Sequence, residues 1–215
     1  MTPVHPRITV VPGLGVRDYL VDALMEGRRH GLDIDLLRPP GSGRRRSLTD
    51  FGMKVGRDLP PVDLLVGFSA GVFVAAAAAA HTPASVGALV LIGPVEAATW
   101  RELARRWMRA GLREPGHLIR QQAREWVSTP PPRLMRAMRS TRHTDLERLL
   151  DDVTCPVHVI RGEHDDLSTD TYARQLARHG GRVLVVPHAN HSWPYQDPDG
   201  FVAALRTLLA STEPT

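Results

Sequence analysis

Six short aliphatic or β-branched runs, most of them stopped by glycine or proline, recur along the chain. They are ITVVPG from Ile8, IDLLRPP from Ile34, DLLVGFS from Asp63, VGALVLIGPV from Val86, CPVHVIRG from Cys155 and GRVLVVP from Gly181. Most are apolar at successive positions, so strands built from them need cover on both faces. Between them lie segments of helical character, and strands buried on both sides that alternate with helices call for a parallel sheet clothed by helices. The expectation is an α/β chain with a doubly wound, mostly parallel sheet of about six strands.

The helical segments can be placed from their stripes and caps. Leu20, Val21, Leu24 and Met25 share one face of a helix that ends near Gly31. A second runs from about Leu48 to Leu59, with Ser47 or Thr49 as its cap. VFVAAAAAA, from Val72, is bounded by Gly71 and Pro83 and is too short to span a bilayer. Alanine has the highest helix propensity and a small side chain, so this segment suits a helix packed closely on a sheet. Further helices are expected around Thr171 to His179 and from Gly200 to Ala210.

One stretch breaks the rhythm. Over residues 96–150, Trp100, Leu103, Ala104, Trp107 and Met108 follow helical spacing, with Gly111 as the expected stop. A second helix includes Leu118, Ile119, Gln122 and Trp126 and is closed by the TPPP run at 129–132. The reading is a helical cap inserted between two strands of a single domain, 1–215. The 215 residues, 42% of them hydrophobic, suffice for one core.

Charge and cysteine content narrow the function classes. The net charge is +4, Lys54 is the sole lysine, and 12 arginines face 6 acidic residues between Glu96 and Leu150. No nucleic-acid recognition motif accompanies this excess, so no nucleic-acid partner is expected. The start, MTPVHPRITVVP, matches neither a secretory apolar region nor a membrane span, which makes a cytoplasmic protein the default. Cys155, the lone cysteine, reads as a buried structural thiol.

GFSAG, from Gly67 to Gly71, fits GxSxG and stands between a strand and a helix. In that setting the turn exposes the Ser69 hydroxyl, and the glycines allow strand and helix to approach. A serine hydroxyl is a poor nucleophile unless a base, oriented by a third group, takes its proton. EHDD follows the strand VHVIRG, and HANHSW follows VLVVP, so acid and base candidates lie in loops at the same sheet edge as Ser69. The order is Ser, Asp, His. From residue types alone, both Asp165 and Asp166, and both His188 and His191, fit.

With these motifs the chain resembles the α/β-hydrolase family, in a form with a compact helical cap, from VVPGLG at Val10 to the terminal helix. LERLLDDVTCPVHVIRGEHDDL is similar to the family's segment leading into its acid, where glycine precedes the carboxylate by three residues. The resemblance therefore implies Asp165, three after Gly162, with Asp166 in reserve. It implies His191 as the base, with Asn190 where the family commonly has glycine, and His188 in reserve. The family often shows His-Gly after its first core strand, and here Pro12 and Gly13 stand there. The resemblance implies the backbone N–H groups of Leu14 and Ala70 as oxyanion donors.

The implied activity is hydrolysis of a carboxylic ester or lactone of a medium-sized apolar substrate through an acyl-enzyme, without a cofactor. Family members that open epoxides or remove halogens carry aspartate in the elbow, so Ser69 argues against both. Trp100, Trp107, Met108 and Trp126 are the expected pocket residues. The arginine-rich insertion keeps open a thioesterase acting on acyl groups carried by coenzyme A or an acidic carrier protein. An idle member serving as a small-molecule receptor is the other alternative. His164, His188 and His191 with the two aspartates invite a metal reading, but HxxH on a loop has no fixed geometry, so no metal is expected. The triplet Arg44 to Arg46 reads as a solvated loop rather than a phosphate cradle.

Overall fold

The architecture is that of a computed structural model in which residues 5–13, 21–37, 47–96, 99–128 and 131–210 are described. In chain order these form β1 (Arg7–Val11), α1 (Val21–Arg29), β2 (Asp33–Leu36), α2 (Leu48–Asp58), β3 (Val62–Phe68), α3 (Gly71–His81) and β4 (Val86–Ile92). Three consecutive helices follow, α4 (Trp100–Arg113), α5 (Gly116–Ser128) and α6 (Pro131–His143), then α7 (Leu146–Leu149) and β5 (Val157–Gly162). The chain closes with α8 (Asp170–Leu176), β6 (Val183–Val186), α9 (Trp193–Gln196) and α10 (Pro198–Leu209). Arg44 to Arg46 lie outside the described residues.

The six strands form one sheet in the order β2–β1–β3–β4–β5–β6, and every neighbouring pair is parallel. Side chains alternate between two cores. Leu65, Leu89, Leu91, Val157 and Val159 face α2, α3, α7 and α8. Leu64, Val66, Ala88, Val90 and Ile160 face α9 and α10. This is why the central strands β1, β3, β4 and β5 read as mostly apolar runs: both of their faces are buried, whereas the edge strands β2 and β6 are partly exposed. The strand order reverses between β1 and β3, and in such sheets the crevice at the carboxyl ends of the strands opens at that switch point.

The alanine helix α3 is buried from Gly71 through Ala79. Its partner α2 presents Gly52 and Gly56, where a Cβ would come within 2.5 Å of the Val74 carbonyl and 2.8 Å of the Ala78 carbonyl. Small residues on both helices thus set their close approach. Ser47 caps α2, its side chain accepting from the Asp50 N–H while the Asp50 carboxylate accepts from the Ser47 N–H.

Three boundaries differ from the sequence expectation, each for a local reason. Helix α4 continues through Gly111 to Arg113, and Pro115 ends it by forcing Glu114 into extended backbone (φ −76°, ψ 143°). One helical glycine costs only about 1 kcal/mol, which the buried Leu103 and Ala110 outweigh. Of the prolines expected to close α5, Pro131 and Pro132 instead open α6, where the first turn needs no N–H donors. Helix α8 stops at Leu176 because Arg178 pairs with the β5 backbone at Val157. Among the described residues no helix is long and apolar enough to cross a membrane. Cys155 is a buried free thiol, raised in pKa by its burial.

Candidate active site

Strand β3 delivers Phe68 and Ser69 to the carboxyl edge of the sheet, one residue short of the Ala70 cap of α3. Ser69 sits in left-handed backbone (φ 52°), a conformation rarely adopted by residues other than glycine, and its N–H donates to the Ile92 carbonyl (2.8 Å). The flanking glycines are required by contact. A Cβ on Gly67 would meet Val72 Cα at 2.6 Å, and one on Gly71 would meet the Val11 carbonyl oxygen at 2.3 Å.

Asp165 follows β5 and is buried; its Oδ1 accepts from the backbone N–H groups of Leu167 (2.9 Å) and Ser168 (3.2 Å). Its other oxygen, Oδ2, lies 2.9 Å from His191 Nδ1, and His191 Nε2 lies 3.0 Å from Ser69 Oγ. A carboxylate only accepts, so Nδ1 carries the proton of the neutral ring and Nε2 is left to accept from the serine hydroxyl. The three side chains form one continuous hydrogen-bonded chain. Burial works to lower the pKa of His191, but the Asp165 charge, its hydrogen bond and the Glu114 charge outweigh it and leave the imidazole raised.

The reserve candidates take no part in this hydrogen-bonded chain. Asp166 Oδ2 pairs with Arg113 Nη1 at 3.2 Å, and His188 is exposed, with its backbone N–H on Glu163 Oε2 (2.8 Å). Phe68 packs against the His191 ring at 5.3 Å between centroids and meets Tyr195 edge-on at 5.2 Å. The glycine three before Asp165 also has a steric role. A Cβ on Gly162 would come within 2.3 Å of the Ala189 carbonyl oxygen, where the histidine loop crosses the end of β5.

Several contributors carried no motif. Gly93, at the end of β4, has φ 54°, and a Cβ there would lie 2.9 Å from His191 Cε1 and 3.1 Å from Asp165 Oδ2. The buried Arg161 braces the acid loop from beneath, donating to the carbonyls of Ser168 (2.7 Å) and Glu163 (3.2 Å). At the end of α4, the Arg113 carbonyl accepts from Asn190 Nδ2 (2.8 Å), while its guanidinium donates to the His164 carbonyl (3.3 Å). Glu114 accepts from the Ser192 N–H (3.1 Å) and from Gln196 Nε2 (2.8 Å). Their signal was positional only: they immediately precede Pro115, which ends the helix.

A cavity of about 360 Å³ opens over Ser69 and His191. Its floor includes Gly13, Phe68 and Ala70, and its walls come from α4 (Leu103, Trp107, Met108), α5 (Ile119) and α6 (Met138). Trp107 and Met108 therefore stand at the cavity. Trp100 does not: it is 37% exposed at the start of α4, and the Arg142 guanidinium lies 5.2 Å above its ring. The sequence expectation placed Trp100 at the pocket; it shares a helix face with Trp107 but stands seven residues, about 10 Å along the axis, nearer the start of α4, beyond the residues that line the cavity. The Trp126 side chain and the whole of Leu14 lie outside the described residues.

Comparison with known proteins agrees with this architecture. Residues 10–204 match the model of the alpha/beta hydrolase family, and the chain belongs to that family. No curated protein matches it in sequence. Among solved structures it is similar to a hydrolase from Oleispira antarctica (TM-score 0.78, 13% identity, 97% of this chain and 92% of that one). It is also similar to a carboxylesterase structure from Nitrososphaera gargenis (TM-score 0.75, 14% identity, 97% and 91%). A monoacylglycerol lipase from Paleococcus ferrophilus superposes with TM-score 0.68 at 15% identity, over 97% and 96% of the two chains. At such identities the likeness is one of fold.

Proposed function

We propose that this protein is a serine hydrolase that cleaves a carboxylic ester or lactone of a medium-sized apolar substrate. The observation that carries this reading is the chain from Asp165 through His191 to Ser69, with links of 2.9 and 3.0 Å at the base of the cavity. Ser69 is the nucleophile, His191 the general base and Asp165 the group that fixes its tautomer and stabilises the imidazolium. As Ser69 Oγ bonds to the carbonyl carbon, its proton passes to Nε2 and negative charge collects on the carbonyl oxygen. Ala70, at the N-terminus of α3, supplies one backbone N–H to that oxygen, and Leu14, which lies outside the described residues, is the assigned second donor. The imidazolium then protonates the leaving alcohol, and water activated by His191 releases the acid. No step needs a cofactor.

In this reading the whole chain acts as one domain, and residues 96–150 act as its cap. Leu103, Trp107, Ile119 and Met138 give the cavity apolar walls suited to an acyl chain. The carboxylesterase and lipase among the structural neighbours are consistent with ester chemistry. A second reading, thioester hydrolysis with the acyl group on an acidic carrier, is favoured by the exposed Arg101, Arg105 and Arg109 on α4.

The test is a panel of short and long acyl esters, lactones and acyl thioesters, run on wild type and Ser69→Ala. Ester or lactone turnover falls by about a thousandfold or more in the variant. Turnover that survives the substitution contradicts the assignment. A thioester preference that weakens as salt rises selects the second reading.

A further inference from the structure

Glu163, His164 and His188 bring a carboxylate oxygen and two imidazole nitrogens within 4.8 Å of one another on the protein surface. We propose that these three side chains bind a divalent transition-metal ion of the zinc class, and that this ion ties the loop bearing Asp165 to the loop bearing His191. In the sequence, the HxxH of His188 and His191 has no fixed geometry on a loop and no second ligand pair shows the spacing of a known site, so no metal was expected. Glu163 and His164 lie just before Asp165, and His188 three residues before His191, so the donors converge only because the two loops meet.

The backbone that carries the donors is already joined across the gap. Glu163 N–H donates to the Val186 carbonyl (2.9 Å), and His164 N–H to the Ala189 carbonyl (2.9 Å). The His188 N–H donates to Glu163 Oε2 (2.8 Å), and the His164 and His188 rings stand 6.1 Å apart between centroids. Zinc bonds to imidazole nitrogen and carboxylate oxygen at about 2.0–2.2 Å, so donors at most 4.8 Å apart need to close by about 1.5 Å or less. All three side chains are exposed and have that freedom.

Two imidazoles and one carboxylate suit zinc, cobalt, nickel or copper rather than magnesium or calcium, which take oxygen donors. Water completes the coordination. A second group, Glu26, His30 and Asp199, has similar spacing, but the Glu26 carboxylate is held by Arg29 at 2.7 Å. The site stands on its own donors and does not depend on the hydrolytic reading.

Cobalt is the probe, because tetrahedral coordination gives it strong visible absorption. Metal-stripped full-length protein titrated with Co²⁺ is expected to bind one ion per chain, to lose the colour to Zn²⁺ and not to Mg²⁺, and to melt at higher temperature with Zn²⁺. His164→Gln and His188→Asn should each weaken binding at least about tenfold. Asn tolerates the left-handed backbone of His188 (φ 57°), and melting of each metal-free variant checks that the fold persists. Absence of saturable Co²⁺ binding, unchanged binding in the double variant, or equal competition by Mg²⁺ overturns the proposal.

Discussion

A single methyl group at Gly93 would enter the site between Asp165 and His191. It would stand 2.9 Å from His191 Cε1 and 3.1 Å from Asp165 Oδ2, in backbone with φ 54°. Left-handed backbone adds about 1–2 kcal/mol of strain for an L-residue. Gly93→Ala is therefore expected to lower kcat/KM on the order of a hundredfold, since displacement of a positioned group by about 1 Å costs that much. Its loss of stability should stay near the strain alone, and denaturant unfolding beside steady-state kinetics separates the two effects.

His191 carries a second prediction at this scale. Its burial opposes the proton, yet Asp165 and Glu114 hold its pKa above the ordinary 6.5. Because the folded value is the higher one, protonation stabilises the fold most fully below the unfolded pKa, and this contribution is lost as pH rises through the folded one. The proposed catalysis runs the opposite way, since His191 acting as base must be neutral. The acidic limb of the kcat/KM profile should lie above pH 6.5, and Glu114→Gln should move it to lower pH. A limb unmoved by that substitution would remove Glu114 from the electrostatics of the site.

Among the elements, the end of α4 touches both loops that meet beside Ser69. Arg113 and Glu114, adjacent in sequence, contact His164 and Asp166 on the acid loop and Asn190, Ser192 and Gln196 around the histidine. Replacing both with alanine should reduce kcat/KM about tenfold or more and raise hydrogen exchange in residues 163–168 and 188–196. The pairing of α2 with α3 supplies the contrasting case. Gly52→Ala places a Cβ 2.5 Å from the Val74 carbonyl oxygen and should destabilise the protein by about 2 kcal/mol. Chemistry at Ser69 should persist in whatever fraction stays folded.

Across the whole molecule, legibility followed the physics of each signal. The central strands β1, β3, β4 and β5 were readable because burial on both faces writes a mostly apolar run, the edge strands β2 and β6 are partly exposed, and a single parallel sheet followed from the alternation with helices. Ser69 was marked by close-approach glycines, and Asp165 and His191 by their places after strands. Gly93, Arg161, Arg113 and Glu114 were hidden because their roles arise from what lies across the fold, and no local pattern encodes that. Trp100 shares the face of Leu103 and Trp107, and only its place in the first turn of α4, set by how the helix lies over the sheet, leaves it outside the cavity lining. Pro115 and Pro131, in contrast, are local signals: Pro115 sets the end of α4 beyond the expected stop at Gly111, and Pro131, expected to close α5, opens α6.

The central claim is that Ser69 is an activated nucleophile. Exposure of the folded protein to a fluorophosphonate, followed by peptide mass spectrometry, tests it most directly. The account predicts stoichiometric modification at Ser69, loss of labelling in Ser69→Ala, and labelling slowed about a thousandfold or more in His191→Ala. A folded wild type that stays unlabelled, label retained in Ser69→Ala, or labelling of His191→Ala at the wild-type rate would contradict it.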